Sequence, residues 1–175
     1  MLDRLPEYID PLHLADKRGA LKGQIPISSL VRLAEFLADD KGAVSIDLFF
    51  YREGRLPIAE GDITANLELI CQNCLTAVNW PINFHIKLGM VKTIDQANRL
   101  PEEYEPLMVT EERILLNNII EDEILLIVPS FPKHDHNCLI QPPSLNGTDI
   151  FFNDEQSSPK NPFAILAKLK KTGEH

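Results

Sequence analysis

Three thiols and two imidazoles fall into two clusters, Cys71-Gln-Asn-Cys74 and His134-Asp-His-Asn-Cys138. Two cysteines separated by two residues can grip one metal ion or act as a redox pair. A second cluster with its own thiol and imidazole completes a tetrahedral donor set for zinc, namely Cys71, Cys74, His134 and Cys138, with His136 as an alternative imidazole. Such a site would tie the C-terminal part of the chain to the first cluster. Spacing alone does not close that distance, because about 60 residues lie between the clusters. Free thiols serving as small core residues therefore remain an open reading beside zinc, and no cofactor is demanded. Redox chemistry fits less well. Cys71 and Cys74 lie between two strand patterns, whereas a thioredoxin-like pair runs from a strand into a helix.

A second candidate is the run Glu121-Asp122-Glu123, whose carboxylates could hold Mg²⁺ or move protons in a metal-dependent hydrolase. No basic or nucleophilic residue stands beside it in sequence. Acids on the outer side of an amphipathic helix are ordinary, and Glu121 and Asp122 are expected to face outward. His85 has the opposite parity to its strand's apolar face and reads as an exposed strand residue.

The elements that must position these groups are legible from periodicity. Residues 18–27 read as a short strand, and Ser28 or Ser29 can cap a helix over residues 29–40 that ends at Gly42. Val44, Ile46, Leu48 and Phe50 then alternate with polar or outward positions, as in a strand with one buried face. Glu53-Gly54-Arg55 turns the chain, and Ile63, Ala65, Leu67, Leu69 and Cys71 continue in one parity, giving Cys71 an inward address. Val78, Trp80, Ile82, Phe84, Ile86, Leu88 and Met90 form the longest alternation, which requires a long strand paired antiparallel through the Cys71–Cys74 connection. Residues 94–104 can hold a helical turn, residues 105–110 a short strand, and residues 117–128 a helix with Asn117 as cap and Pro129 as stop. The fold class is α+β. A curled, barrel-like antiparallel sheet of about five or six strands is expected, packed by the 29–40 and 117–128 helices. The expected core is Leu33, Leu37, Ile46, Leu48, Leu67, Leu69, Trp80, Ile82, Phe84, Ile120, Ile124 and Ile127.

With 175 residues, 44% hydrophobic, the chain can bury one core over residues 1–138 without disulfides. Residues 139–160, rich in Pro, Ser, Asn and Asp, have the composition of a flexible linker. Residues 161–175 read as a short amphipathic helix with Asn161 as cap, Pro162 in the first turn, Phe163, Leu166 and Leu169 on one side, and Lys168 and Lys170 near its end. Asn161, Pro162, Phe163, Leu166, Lys168 and Lys170 are the candidate docking residues, for a partner or for the domain itself. A net charge of −9 argues against broad contact with nucleic-acid phosphates and suits a basic protein partner. Three cysteines and a start without an apolar signal-like run suggest a reducing, cytoplasmic setting, and no apolar run is long enough to span a membrane.

These motifs have a familiar order. The hairpin bearing Cys-x-x-Cys-Leu, Leu100-Pro-Glu-Glu-Tyr-Glu-Pro106, Ile120-Glu-Asp-Glu-Ile-Leu-Leu126, then Pro129, Pro132, His134 and Cys138, and finally Asn161-Pro-Phe-Ala-Ile-Leu-Ala-Lys-Leu-Lys170 together resemble the YceD family. Members of that family are called large ribosomal RNA subunit accumulation proteins, and the resemblance covers nearly the whole chain. It implies a non-enzymatic role in the synthesis, processing or stability of large-subunit ribosomal RNA. It supplies no mechanism; the acidic balance of the chain suits a ribosomal protein or an assembly factor as partner, with contact to ribosomal RNA indirect. The resemblance brings no catalytic residues, and it leaves the oligomeric state open. A zinc-stapled module binding RNA or protein is the alternative reading, and a metal-dependent hydrolase a remote one.

Overall fold

The computed structural model of the chain describes residues 5–138. The linker expected over residues 139–160 and the helix expected over residues 161–175, with all its docking residues from Asn161 to Lys170, lie outside the described residues.

Along the chain run β1 (Tyr8–Ile9), α1 (Pro11–Lys17), β2 (Ala20–Pro26), β3 (Leu37–Asp39), β4 (Ala43–Glu53), β5 (Leu56–Ile70), β6 (Ala77–Val91), α2 (Ile94–Ala97), β7 (Glu105–Met108), β8 (Ile114–Leu115) and α3 (Leu116–Ile127). The class is α+β. Strands β2, β4, β5, β6 and β7 lie side by side in that order, and β3 joins the same sheet beside the far end of β5. β1 and β8 make a separate small ribbon. The described sheet is open, with β2 and β7 at its edges rather than joined into a barrel. Pairing is antiparallel except between β6 and β7, which run parallel because residues 92–104, carrying α2, cross back along the sheet.

The β5–β6 pairing is the long axis of the fold, in continuous register from Ile58 opposite Gly89 to Ile70 opposite Ala77. Its inward parity is the one expected: Ile63, Leu67, Leu69 and Cys71 are buried from β5 and its tip, and Val78, Ile82, Ile86, Leu88 and Met90 from β6. Val44, Ile46, Leu48 and Phe50 of β4 join them, with Leu116, Ile120 and Ile124 of α3 in the same core. Leu33 and Leu37 are also buried as expected. Trp80 and Phe84 pack on the edge of the core and are only half-buried. Ile127 is 39% exposed, because it is the last residue of α3 and the core ends a turn earlier.

The helix expected over residues 29–40 does not form. Two short 3₁₀ turns, Ile27–Ser29 and Leu33–Phe36, take its place, followed directly by β3. A distant group explains the change: the Glu121 carboxylate accepts the backbone N–H groups of Arg32 at 2.6 Å and Leu33 at 2.9 Å. Leu37 meanwhile pairs with Leu69, so tertiary contacts override a local helical pattern. Ser29 caps nothing; its hydroxyl donates to the Pro26 carbonyl at 2.7 Å. Gly42, expected as a helix stop, instead takes a left-handed φ of 100° at the entry to β4. The 117–128 helix is present as α3, but without the Asn117 cap. Leu115 is its N-cap residue, and the Asn117 amide donates to Ser29 Oγ at 3.2 Å. Helix α1 had no periodic signal, being only two turns long, and rests on an Asp10 cap that accepts His13 N–H at 2.9 Å.

Gly61 of β5 lies opposite Leu48 of β4 on one side and Ile86 of β6 on the other. A Cβ there would lie 2.0 Å from the Asp47 carbonyl oxygen and 2.8 Å from Leu48 Cα, both backbone atoms that cannot step aside. Gly61→Ala should therefore destabilise the fold by at least the roughly 1–3 kcal/mol typical of overpacking. A denaturant titration in which the variant matches the native chain would show that the two strands can separate at that point.

Candidate metal centre

The tip of the β5–β6 hairpin is a compact turn. Cys71 N–H donates to the Thr76 carbonyl and Leu75 N–H to the Cys71 carbonyl, each at 2.9 Å. The turn forces Leu75 to a left-handed φ of 60°, unusual for a side chain of that size, which stands exposed. Cys71 continues the inward face of β5 and is fully buried, while Cys74 is half-buried on the far side of the turn.

The second cluster reaches this tip through backbone as well as side chains. After α3 ends, Pro129 and Pro132 prevent the helix from continuing, and the Pro132 carbonyl accepts the Gln72 N–H at 2.8 Å. That bond sets residues 132–138 against the turn. Cys71, Cys74, His134 and Cys138 each offer a ligand atom, and all four atoms lie within 4.8 Å of one another. Cys71 Sγ is 3.6 Å from Cys138 Sγ, and Cys74 Sγ is 3.5 Å from His134 Nδ1. The other ring nitrogen of His134, Nε2, lies 3.1 Å from the Ala77 carbonyl oxygen, to which it donates. His136 stays outside the set, its ring 4.8 Å from that of His134. Among the described residues no carboxylate joins the group.

The electrostatics favour ionised sulfur at the turn. Burial opposes a charge on Cys71, but the backbone N–H groups of Cys74, Asn73 and His134 point at its sulfur and, with the Cys74 side chain, pull the thiol down to about 5. Cys74 is lowered chiefly by the Thr76 hydroxyl, whose oxygen is 3.1 Å from Sγ. Cys138 is raised, first by burial and then by the neighbouring sulfurs of Cys71 and Cys74. His134 is raised, chiefly by its hydrogen bond to Cys71. The arrangement is a set of soft donors concentrating negative charge in one small volume, which is what a divalent cation neutralises.

The acidic run on α3 is organised differently. Glu121, expected to face outward, is only 4% exposed. Besides the two N–H groups already named, it accepts Arg32 Nε at 2.9 Å, while Arg32 Nη1 pairs with Asp122 at 2.6 Å. Glu123 is buried in another direction, toward Glu105. Glu121 and Asp122 therefore share Arg32 while Glu123 turns toward Glu105, and the three acids do not converge on one point. The sequence carried a sign of Glu123's burial: it stands three residues after Ile120 and seven after Leu116, on the apolar stripe of the helix. Nothing local marked Glu121, whose partner lies 89 residues earlier. His85 is exposed on β6 as expected, between Asp62 at 2.9 Å and Glu60 at 3.2 Å.

Away from both clusters, a cleft of about 500 Å³ has an apolar floor including Leu12, Met90 and Leu100, with Arg52, Arg55, Lys92 and Arg99 around it. Among the described residues, no carboxylate, imidazole, thiol or hydroxyl lines it. Among the described residues, no helix is long and apolar enough to cross a membrane.

Residues 59–170 match the family model described as Large ribosomal RNA subunit accumulation protein YceD. The protein of that name from Haemophilus influenzae is 30% identical over 173 residues, spanning 95% of this chain and 97% of the relative. No solved structure matches the chain.

Glu123 yields a pH prediction. Burial, then the charge and hydrogen bond of Glu105, and then Asp122 raise its carboxyl from the ordinary 4.5 to about 7. The folded state thus holds a proton that the unfolded chain releases, and stability from this group is complete below about 4.5 and lost as pH rises through about 7. Glu123→Gln should remove that loss and be more stable than the native chain at pH 8 by on the order of 3 kcal/mol, with little difference at pH 4. Denaturant midpoints across this range that run parallel for the two proteins would mean Glu123 is not held protonated.

Proposed function

The chain belongs to the YceD family of large ribosomal RNA subunit accumulation proteins, and from that premise we propose that it is a non-enzymatic factor that raises the yield of large-subunit ribosomal RNA through a protein partner in the cytoplasm. The supporting observation is the match across 95% of the chain, which includes the hairpin, α3 and the second Cys-His cluster. The acids that could suggest hydrolysis are occupied in holding Arg32 or buried against Glu105.

A basic ribosomal protein or assembly factor is the partner that the surface fits. Glu102, Glu103, Glu105, Glu111 and Glu112 are all exposed on the stretch flanking β7, in a chain of net charge −9. Apolar anchors stand at the hairpin end, where the turn, the Leu33–Phe36 segment and residues 128–132 line a shared groove. Leu75, Phe36 and Phe131 are exposed on those three segments. The acidic stretch runs along β7, at the end of β6 away from the turn, so the two features offer separate contacts, charge for partner choice and apolar anchors for affinity. The cleft with Arg52, Arg55, Lys92 and Arg99 favours a second reading, direct contact with an RNA phosphate.

In cells lacking the protein, the ratio of large- to small-subunit ribosomal RNA should fall selectively, and the native chain should restore it. A chain carrying Glu102→Lys, Glu111→Lys and Glu112→Lys should fold yet fail to restore the ratio, whereas Arg55→Glu with Arg99→Glu should restore it. The opposite pattern of rescue would favour the RNA reading. An unchanged ratio where the protein is normally made would contradict the proposed function.

A further inference from the structure

The geometry points to a structural zinc ion held by Cys71, Cys74, His134 and Cys138, which fastens residues 132–138 to the tip of the β5–β6 hairpin. With Zn–S about 2.3 Å and Zn–N about 2.0–2.1 Å, a tetrahedral site places sulfurs about 3.8 Å apart and a sulfur and nitrogen about 3.6 Å apart. The observed separations are 3.6 Å for Cys71 and Cys138 and 3.5 Å for Cys74 and His134. The remaining separations lie within 4.8 Å, so four donors from two separate stretches of chain gather around one point.

The surroundings match what a metal requires of its ligands. An imidazole that donates one N–H to a fixed acceptor has its other nitrogen's lone pair free for the metal. His134 does this: Nε2–H is taken by the Ala77 carbonyl, which leaves Nδ1 facing the sulfurs. The turn that carries both thiols is closed by the bonds from Cys71 N–H to the Thr76 carbonyl and from Leu75 N–H to the Cys71 carbonyl, which fix the two sulfurs beside each other. Leu75 accepts a strained backbone conformation to make that turn, and strain of this kind collects where a site dictates geometry.

Binding is a proton exchange with no change of oxidation state: Zn²⁺ takes three thiolates and one neutral imidazole, and each thiol still protonated releases its proton to solvent. Four protein ligands close the coordination sphere, so no position remains for a reactive water, and the ion is structural rather than hydrolytic. Core packing by free thiols would leave the imidazole's orientation unexplained, and a disulfide would use only two of the four donors.

The test is titration of Co²⁺, then Zn²⁺, into the reduced, metal-stripped full chain. One equivalent of Co²⁺ should produce the thiolate-to-cobalt charge transfer and intense visible bands of a tetrahedral sulfur site, and one equivalent of Zn²⁺ should abolish them. His134→Ala should weaken zinc at least tenfold in competition with a chromophoric chelator, a loss of about 1.4 kcal/mol or more, and His136→Ala should change it less than twofold. Cys138→Ser should lose the charge-transfer intensity of one sulfur; should it fail to fold, the native titration still decides. Saturation without thiolate bands, no uptake, or equal loss from His134→Ala and His136→Ala would overturn the site.

Discussion

The register of β5 against β6 is the constraint on which the rest of the structure depends. It runs unbroken from Ile58–Gly89 to Ile70–Ala77 and delivers the chain to a turn at Cys71 with the inward parity of β5 still intact. A slip of β5 by one residue would turn its apolar set to the other face of the sheet, against the unchanged face of β6, and carry Cys71 out of the core. Gly61 lets β4 lie close against β5 within that frame, and β3 and β7 complete the two sides. The thiols of the turn, the buried apolar face and the site met by residues 132–138 are thus consequences of one alignment.

Glu121 is the second fixed point. A carboxylate nearly removed from water must be met by donors, and it receives two backbone N–H groups and a guanidinium from Arg32 and Leu33. Those bonds hold the Leu33–Phe36 turn against α3 and account for chain that does not continue as a helix. Acids that looked available for chemistry are therefore part of the framework. Glu123 beside Glu105 is the exception, a buried carboxyl near another acid that keeps its proton to a higher pH than usual.

What the residues revealed before the structure follows the range of the interactions involved. Strands β4, β5 and β6 were legible because alternation is local and each has one apolar face. So was α3, to within a residue. Residues 29–40 misled because the deciding partner, Glu121, is far away in sequence, and the parallel β6–β7 pairing has no local signature. The types and spacing of Cys71, Cys74, His134 and Cys138 announced their chemistry, but not their convergence. That depends on Pro132 accepting a backbone hydrogen bond from Gln72, which no spacing rule encodes.

The central claim is that the hairpin turn and residues 132–138 form one unit held by a metal, and amide hydrogen exchange tests it most directly. Exchange would be compared between the zinc-loaded and metal-stripped chain under reducing conditions. Stripping should accelerate exchange at Gln72, whose N–H is held by Pro132, together with residues 133–138, while the middle of β5 and β6 keeps its protection. Equal exchange with and without metal, or acceleration of one segment without the other, would contradict the account.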